Sequence, residues 1–331
     1  MPIPENHASS LAITGRATTI PEISVVVATS EAARSVQDCL HSIMASIAGL
    51  DAELIVADGS SDETASLVQL HFAEATLIRM APGTLTPRLW GAGLAKARGK
   101  LVAFTTGHST VPHDWCRALS AALTPAATGS EHPTTPGVGG AGGALALAAG
   151  TSVIDAAIYF LRYSAFLPGG GGSPRPVAEI AGDNAMYRGD DLRRHIATFA
   201  DGFWEVPFHQ ILRKEGHTLM MIPAATAEFG RSFTLGAISA QRFAHGRHFG
   251  KWRSSVGGVG RARIIGASPV VPFVLLARIA RRVMNTRLAA GDQTAAGLPR
   301  ESVARFVAAS PLILWLGACW AMGEARGAWE A

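Results

Sequence analysis

Ile23 to Thr29 (ISVVVAT) is an unbroken run of β-branched and small apolar residues. A run this short, without polar alternation, predicts a strand buried on both faces. Over 31–48 the pattern changes: Val36, Leu40, Ile43, Met44 and Ile47 are spaced to line one face of a helix. Glu53 to Ala57 predicts a second buried strand, which runs into the polar turn Asp58-Gly59-Ser60-Ser61-Asp62. Asp62 is placed to cap a helix that reaches Leu70. A strand over 76–80, a loop over 82–87, a helix over 89–97 and a strand over 101–105 follow. This alternation predicts an α/β fold with a doubly wound, mostly parallel, Rossmann-like sheet. Ligands of such sheets bind beyond the carboxyl ends of the strands, so Thr29 to Glu31, Asp58 to Asp62 and Thr106 to Ser109 become site candidates.

Beyond the strand at 101–105 the pattern is looser. Residues 124–150 are rich in Gly, Ala, Pro and Thr and predict a loop leading into a small-residue strand or helix. Residues 168–174 (PGGGGSP) predict a flexible loop, a lid near a substrate. Residues 203–213 have helical spacing and 218–223 strand character. Three parts are expected: an arm over 1–21, the α/β domain over 22–253, and an apolar helical segment over 254–331.

Composition sharpens the last part. The chain is 48% hydrophobic and only 16% charged, which favours contact with a membrane. Residues 242–287 hold ten Lys/Arg and no Asp/Glu, leaving 19 basic against 25 acidic residues elsewhere. A basic block among aliphatic runs suits anionic lipid or phosphate, whereas nucleic acid would call for stacking aromatics and is not expected. Ile264 to Ala277 is 14 uncharged residues, short for a span; Phe306 to Gly323 is 18, at the lower limit. A hairpin of two spans would leave Arg278, Arg281, Arg282 and Arg287 outside, against the positive-inside tendency. An in-plane or re-entrant first run is therefore expected, with a span or an interfacial helix after it. The arginines would then lie at the headgroups of the cytoplasmic face of an inner membrane. Cys39, Cys116 and Cys319 are far apart, which excludes a disulfide framework or a Cys-rich zinc site and fits a reducing compartment. No apolar stretch after a basic start marks a secretory signal.

The succession ISVVVATSE, ELIVADGSSDET and LWGAGLAKARGKLVAFTTGHSTVPHDW, followed by GDNAMYRGDDL and FWEVPFHQILRKEG, resembles the family-2 inverting glycosyltransferases. The likeness covers about 22–253 and implies a GT-A fold that takes a nucleotide-sugar donor, UDP-linked by expectation. It places Ala28, Thr29 and Glu31 beside the nucleobase and Asp58 on the base or ribose. Ser60 and Asp62 would support that loop. Asp183, Asn184 and Arg188 would lie on the acceptor side, and Glu205 would be the catalytic base. Arg88 and His108 complete the donor-side candidates.

Inverting transfer needs one carboxylate to take the acceptor proton and positive charge to stabilise the leaving diphosphate. The family binds Mg²⁺ or Mn²⁺ with Asp-x-Asp after the strand corresponding to 101–105, and here the stretch reads Thr105-Thr106-Gly107-His108-Ser109. His108 is its one candidate metal ligand. Two readings follow. In one, arginines replace the cation, with Arg88, Arg188, Arg242 and Arg247 as candidates. In the other, the site is degenerate and the protein is a membrane-associated binding partner.

Overall fold

The computed structural model describes residues 20–124, 137–169, 172–230, 233–255, 257–289 and 300–331. The expected arm falls outside these except for residues 20 and 21, as do 125–136 of the expected 124–150 loop and 170–171 of the expected lid.

The first half alternates strand and helix: β1 (Ile23–Thr29), α1 (Val36–Ile47), β2 (Ala52–Asp58), α2 (Thr64–His71), β3 (Thr76–Arg79), α3 (Thr86–Leu94) and β4 (Leu101–Thr106). All seven residues of β1 are buried, as its composition predicts. α1 starts later than its apolar spacing suggests. Residues 31–35 are a turn, with Glu31 at φ +52°, and the amides of Glu31, Ala32 and Ala33 donate to Ser60, Thr64 and Asp62. The N-terminal flanking residue of α2 is Glu63; Asp62 instead accepts from the Thr64 amide in a tight local turn.

Next come β5 (Ser109–Thr110), α4 (Trp115–Leu123), β6 (Val138–Gly142), β7 (Leu145–Leu147), α5 (Val153–Tyr163), β8 (Arg175–Val177) and β9 (Asn184–Arg188). They are followed by α6 (Gly189–Arg194), α7 (Glu205–Lys214), β10 (Thr218–Met221) and β11 (Ala227–Phe229). The main sheet has eight strands in the order β3-β2-β1-β4-β9-β6-β10-β8, and all but β8 and β9 run the same way. The sheet is mostly parallel, as the alternation of strand and helix predicts. A second sheet, β5-β11-β7, lies beside it.

Alternation along β1 feeds two cores. Val25 and Val27 pack with Leu40, Ile43, Trp115 and Leu119 on one face of the sheet. Val26 and Ala28 pack with Trp90, Phe104, Tyr187, Phe203 and Phe208 on the other. Each fully buried aliphatic or Phe side chain contributes about 1.5–3 kcal/mol.

The C-terminal helices are α8 (Leu235–Ser255), α9 (Arg261–Ala267), α10 (Val271–Ala289) and α11 (Arg300–Glu330). α8, α10 and α11 share a third core with α5, formed by Tyr159, Phe160, Ile238, Ile279, Val283, Phe306, Ile313 and Leu316. α8 and α11 run parallel in very close contact. A Cβ on Gly246 would stand 2.0 Å from the Trp320 carbonyl oxygen, and one on Gly323 would stand 2.1 Å from that of Phe243. Gly250 and Gly327 repeat the arrangement one turn on, against Glu324 and Arg247. Small residues every fourth position let two helix backbones touch. Buried Glu324 pairs with Arg253 across this seam. The stretch Ser302–Glu330 is long and apolar enough to cross a membrane, while α9 and α10 bend by 67°.

Candidate functional site

The carboxyl ends of β1, β2 and β4 lie side by side, with Thr29 opposite Asp58 and Ala28 opposite Thr106. Asp58 is fully buried, and the Thr29 and Ser60 hydroxyls donate to its Oδ1 at 2.7 and 2.6 Å. Its Oδ2 accepts no hydrogen bond and faces Arg79 Nε at 3.4 Å. The Glu31 carboxylate accepts from the Ser61 amide and hydroxyl, which binds the two strand-end loops together. Ala28 contributes its carbonyl to the Gly107 amide while its side chain joins the core. Thr29, Glu31, Asp58 and Ser60 thus meet at one edge as expected.

A divalent cation does not fit the residues that follow β4. The side chains there are the hydroxyls of Thr105, Thr106 and Ser109, buried and without hydrogen-bond partners, and the His108 ring. His108 Nε2 lies 2.9 Å from the Ser30 carbonyl oxygen and its Nδ1 3.5 Å from Ser35 Oγ, so the ring ties two loops together. Hard cations take carboxylate and carbonyl oxygens, and no group of three His, Cys, Asp or Glu gathers anywhere among the described residues.

Glu205 opens α7, where the free amides of the first turn favour a carboxylate. A methyl group on Gly182 would stand 3.0 Å from Trp90 and 3.2 Å from Glu205 Cδ, so the carboxyl rests on the bare backbone of Gly182. Trp90 Nε1 donates to the Thr105 carbonyl at 2.9 Å, which sets this cluster at the carboxyl end of β4. Burial pushes the proton affinity of Glu205 up; its own amide lowers it, Asp183 raises it, and His209 and Arg162 lower it, with a net rise. Asp183 accepts from Arg162 Nη2 at 2.7 Å and from the Tyr163 hydroxyl.

Several expected residues lie elsewhere or are already engaged. Asn184 is fully buried, donating to the carbonyls of Ala144 and Ala225 and accepting from Trp115 Nε1, so it is a structural brace rather than an acceptor contact. Arg188 sits at the far end of the sheet, because β9 is antiparallel and Arg188 pairs with Leu101 while Asn184 pairs with Thr105. Its guanidinium holds the Leu123 carbonyl. Arg247 is bound to Glu330 at 2.7 Å, on another face of α8 from Arg242. Arg88 pairs with Asp201 in a shallow groove of about 470 Å³ that also includes Met80, Gly91 and Gly202. Arg242 differs from these: its Nε is buried without a hydrogen-bond acceptor, and burial, then neighbouring Arg162, push its pKa down to about 9. It remains a cation at neutral pH.

Sequence reasoning missed Arg162, Tyr163, Glu179, Tyr187 and His209. A signal existed for the first two. Ser152 and Asp155 form a reciprocal capping box at the start of α5, and that spacing ahead of an apolar run marks a helix. His209 lies one turn after Glu205 in a helix that was expected.

Among solved structures, the chain is similar to S. aureus TarS residues 1–349 in complex with UDP-GlcNAc, with a TM-score of 0.47, 10% identity and coverage of 93% of this chain and 91% of that one. It is also similar to the mannosyltransferase PcManGT from Pyrobaculum calidifontis in complex with GDP-Man and Mn²⁺, with a TM-score of 0.47, 16% identity and coverage of 95% and 88%. No curated protein matches the sequence. Residues 24–149, from β1 to just past β7, match the model of glycosyl transferase family 2.

Proposed function

We propose that the protein is an inverting glycosyltransferase that moves a sugar from a nucleoside-diphosphate donor, uridine-linked, to an acceptor hydroxyl. The observation that carries this reading is Glu205: a carboxyl of raised proton affinity, seated on Gly182 beside Trp90 at the donor edge. Glu205 takes the acceptor proton. The freed oxygen attacks the anomeric carbon from the face opposite the diphosphate. The bond from that carbon to the diphosphate oxygen breaks, and its electron pair leaves with the nucleotide. A carboxylate whose proton affinity is raised by burial suits this proton transfer. With no residues fitted to a divalent cation after β4, Arg242 is the group best placed to meet the departing charge, because its Nε has no protein acceptor. Asp58 Oδ2 is the acceptor left for a base or ribose donor group.

The same reading places the protein at an anionic bilayer, on the cytoplasmic side of an inner membrane, where a lipid-linked or envelope glycan acceptor would be met. Phe273, Val274, Trp315 and Trp329 are exposed on α10 and α11, and Arg278 and Arg281 are exposed on α10. α11 is bound to α8 through its glycines and through Glu324, and α8 carries Arg247, Lys251 and Arg253. A span by residues 306–323 would carry the turns of α8 packed beside it, with Arg242 and His245, into hydrocarbon. The helices therefore lie along the interface.

A panel of nucleotide-sugars, assayed with vesicle-bound protein in Mg²⁺, in Mn²⁺ and in EDTA, tests this function. Turnover that survives EDTA and is lost in Glu205→Gln is the expected result. Turnover that requires a metal would overturn the role given to Arg242. Absence of nucleotide release from every donor would instead favour a binding protein built on this fold.

A further inference from the structure

His209 is fully buried, and both of its ring nitrogens are bonded. Nδ1 meets the Glu179 carboxylate, and Nε2 lies 2.7 Å from the Tyr187 hydroxyl. A carboxylate only accepts, so Nδ1 carries a hydrogen. Burial opposes ionisation of Glu179, but His209 and Arg213 outweigh it and hold the carboxyl below the usual carboxylate range. Tyr187 can donate to Nε2 of a neutral ring or accept from it when the ring takes a second proton. The imidazole can therefore change charge without changing partners. Its link to solvent is Glu179, one-third exposed, which Arg213 holds at 2.9 Å.

His209 is four positions after Glu205 on α7, a spacing that sets the two side chains on one face of the helix. The other groups facing Glu205 are Asp183 from the loop before β9, Arg162 and Tyr163 from α5, and Tyr187 from β9. Facing His209 are Glu179, Tyr187 and Glu205. We propose that the buried chain Glu179–His209–Tyr187 sets the charge state of Glu205, so that Glu179 and His209 are positioning residues for the base. This rests on Glu205 being the base of the proposed transfer. Two charges that interact in a buried site couple reciprocally, so whatever His209 does to Glu205 must be returned.

That reciprocity gives a test independent of turnover. The imidazoles of the full chain are labelled with ¹⁵N and titrated, and the His209 signal is assigned by its absence in His209→Gln. Removing the carboxylate in Glu205→Gln should lower the His209 midpoint by roughly half a unit or more, the size of an ordinary charge-pair interaction. An unmoved midpoint overturns the proposal. In the active protein, Glu179→Gln and His209→Gln should each shift the acid limb of kcat against pH upward, leaving the donor KM unchanged. A drop in kcat that is uniform across pH would mean that the chain merely supports α7, and would also overturn it. If Glu205→Gln keeps full turnover, the base assignment fails, whatever the titration shows. If that variant is inactive while the His209 midpoint is unmoved, the coupling alone fails.

Discussion

Thr29 and Asp58 are register partners on β1 and β2, and the Thr29 hydroxyl donates to Asp58 Oδ1 at 2.7 Å. The carboxylate is fully buried and shares that oxygen with Ser60. Replacing Thr29 with Val keeps the shape and removes one donor from a buried charge. The expected cost is about 1–3 kcal/mol of stability, with a higher donor KM, read by calorimetry and initial rates.

The raised proton affinity of Glu205 has a consequence for stability. The carboxyl holds its proton more tightly folded than unfolded, where it titrates near about 4.3. Its contribution to stability is therefore fully present at low pH and is lost as pH rises from about 4.3 through the folded value. Glu205→Gln should abolish transfer yet unfold at a higher temperature than the wild type at pH 7.5, with the difference closing near pH 4. Thermal melts at the two pH values check this.

Gly182 gives Glu205 the room it occupies. In Gly182→Ala the new methyl would press on the carboxyl and on Trp90. A misplaced base costs about 10²-fold in rate, so kcat should fall by roughly that factor while donor binding holds. Steady-state kinetics together with donor titration separate the two.

Gly246 and Gly236 lie on the same helix but in different surroundings. An alanine methyl at Gly246 would collide with the Trp320 carbonyl, whereas one at Gly236 meets nothing within 4 Å. Gly246→Ala should lose about 1–3 kcal/mol or more by overpacking. Gly236→Ala should be neutral or gain up to about 1 kcal/mol. Denaturant melts of the two variants make the comparison.

Binding to vesicles should require anionic lipid and weaken as salt rises. Neutralising Arg278 and Arg281 together removes about 1 kcal/mol for each, or roughly 30-fold in affinity. Phe273→Ser should weaken binding without changing its salt dependence. Flotation with phosphatidylglycerol against phosphatidylcholine vesicles tests all three statements.

The parallel half of the sheet was legible because each strand there is a compact apolar run ending in a polar turn. β1, β2 and β4 appear within a residue of their expected ends, and the loops expected to form the donor edge do meet. Strand direction was not legible. A burial pattern reads the same in both directions, so Arg188 looked like a neighbour of Asn184 at the site when the antiparallel run of β9 carries it to the other end. Glu205 could be named because FWEVPFHQILRKEG resembles the family's helix that opens on an acid. Its surroundings could not, because Arg162 and Asp183 converge on it from separate elements. Glycines 246, 250, 323 and 327 are spaced by four in both helices, but only the fold reveals that they face one another.

The seam between α8 and α11 also fixes an order of events. The helix that carries Arg242 is seated on residues made more than seventy positions later in the chain. Contacts that far apart in sequence form slowly and late. During synthesis the strand ends and Glu205 can be in place while α8 still waits for its partner. A nascent chain could then hold the ends of β1, β2 and β4 in place before Arg242 is seated, and under the role proposed for Arg242 transfer would begin only once α11 has arrived.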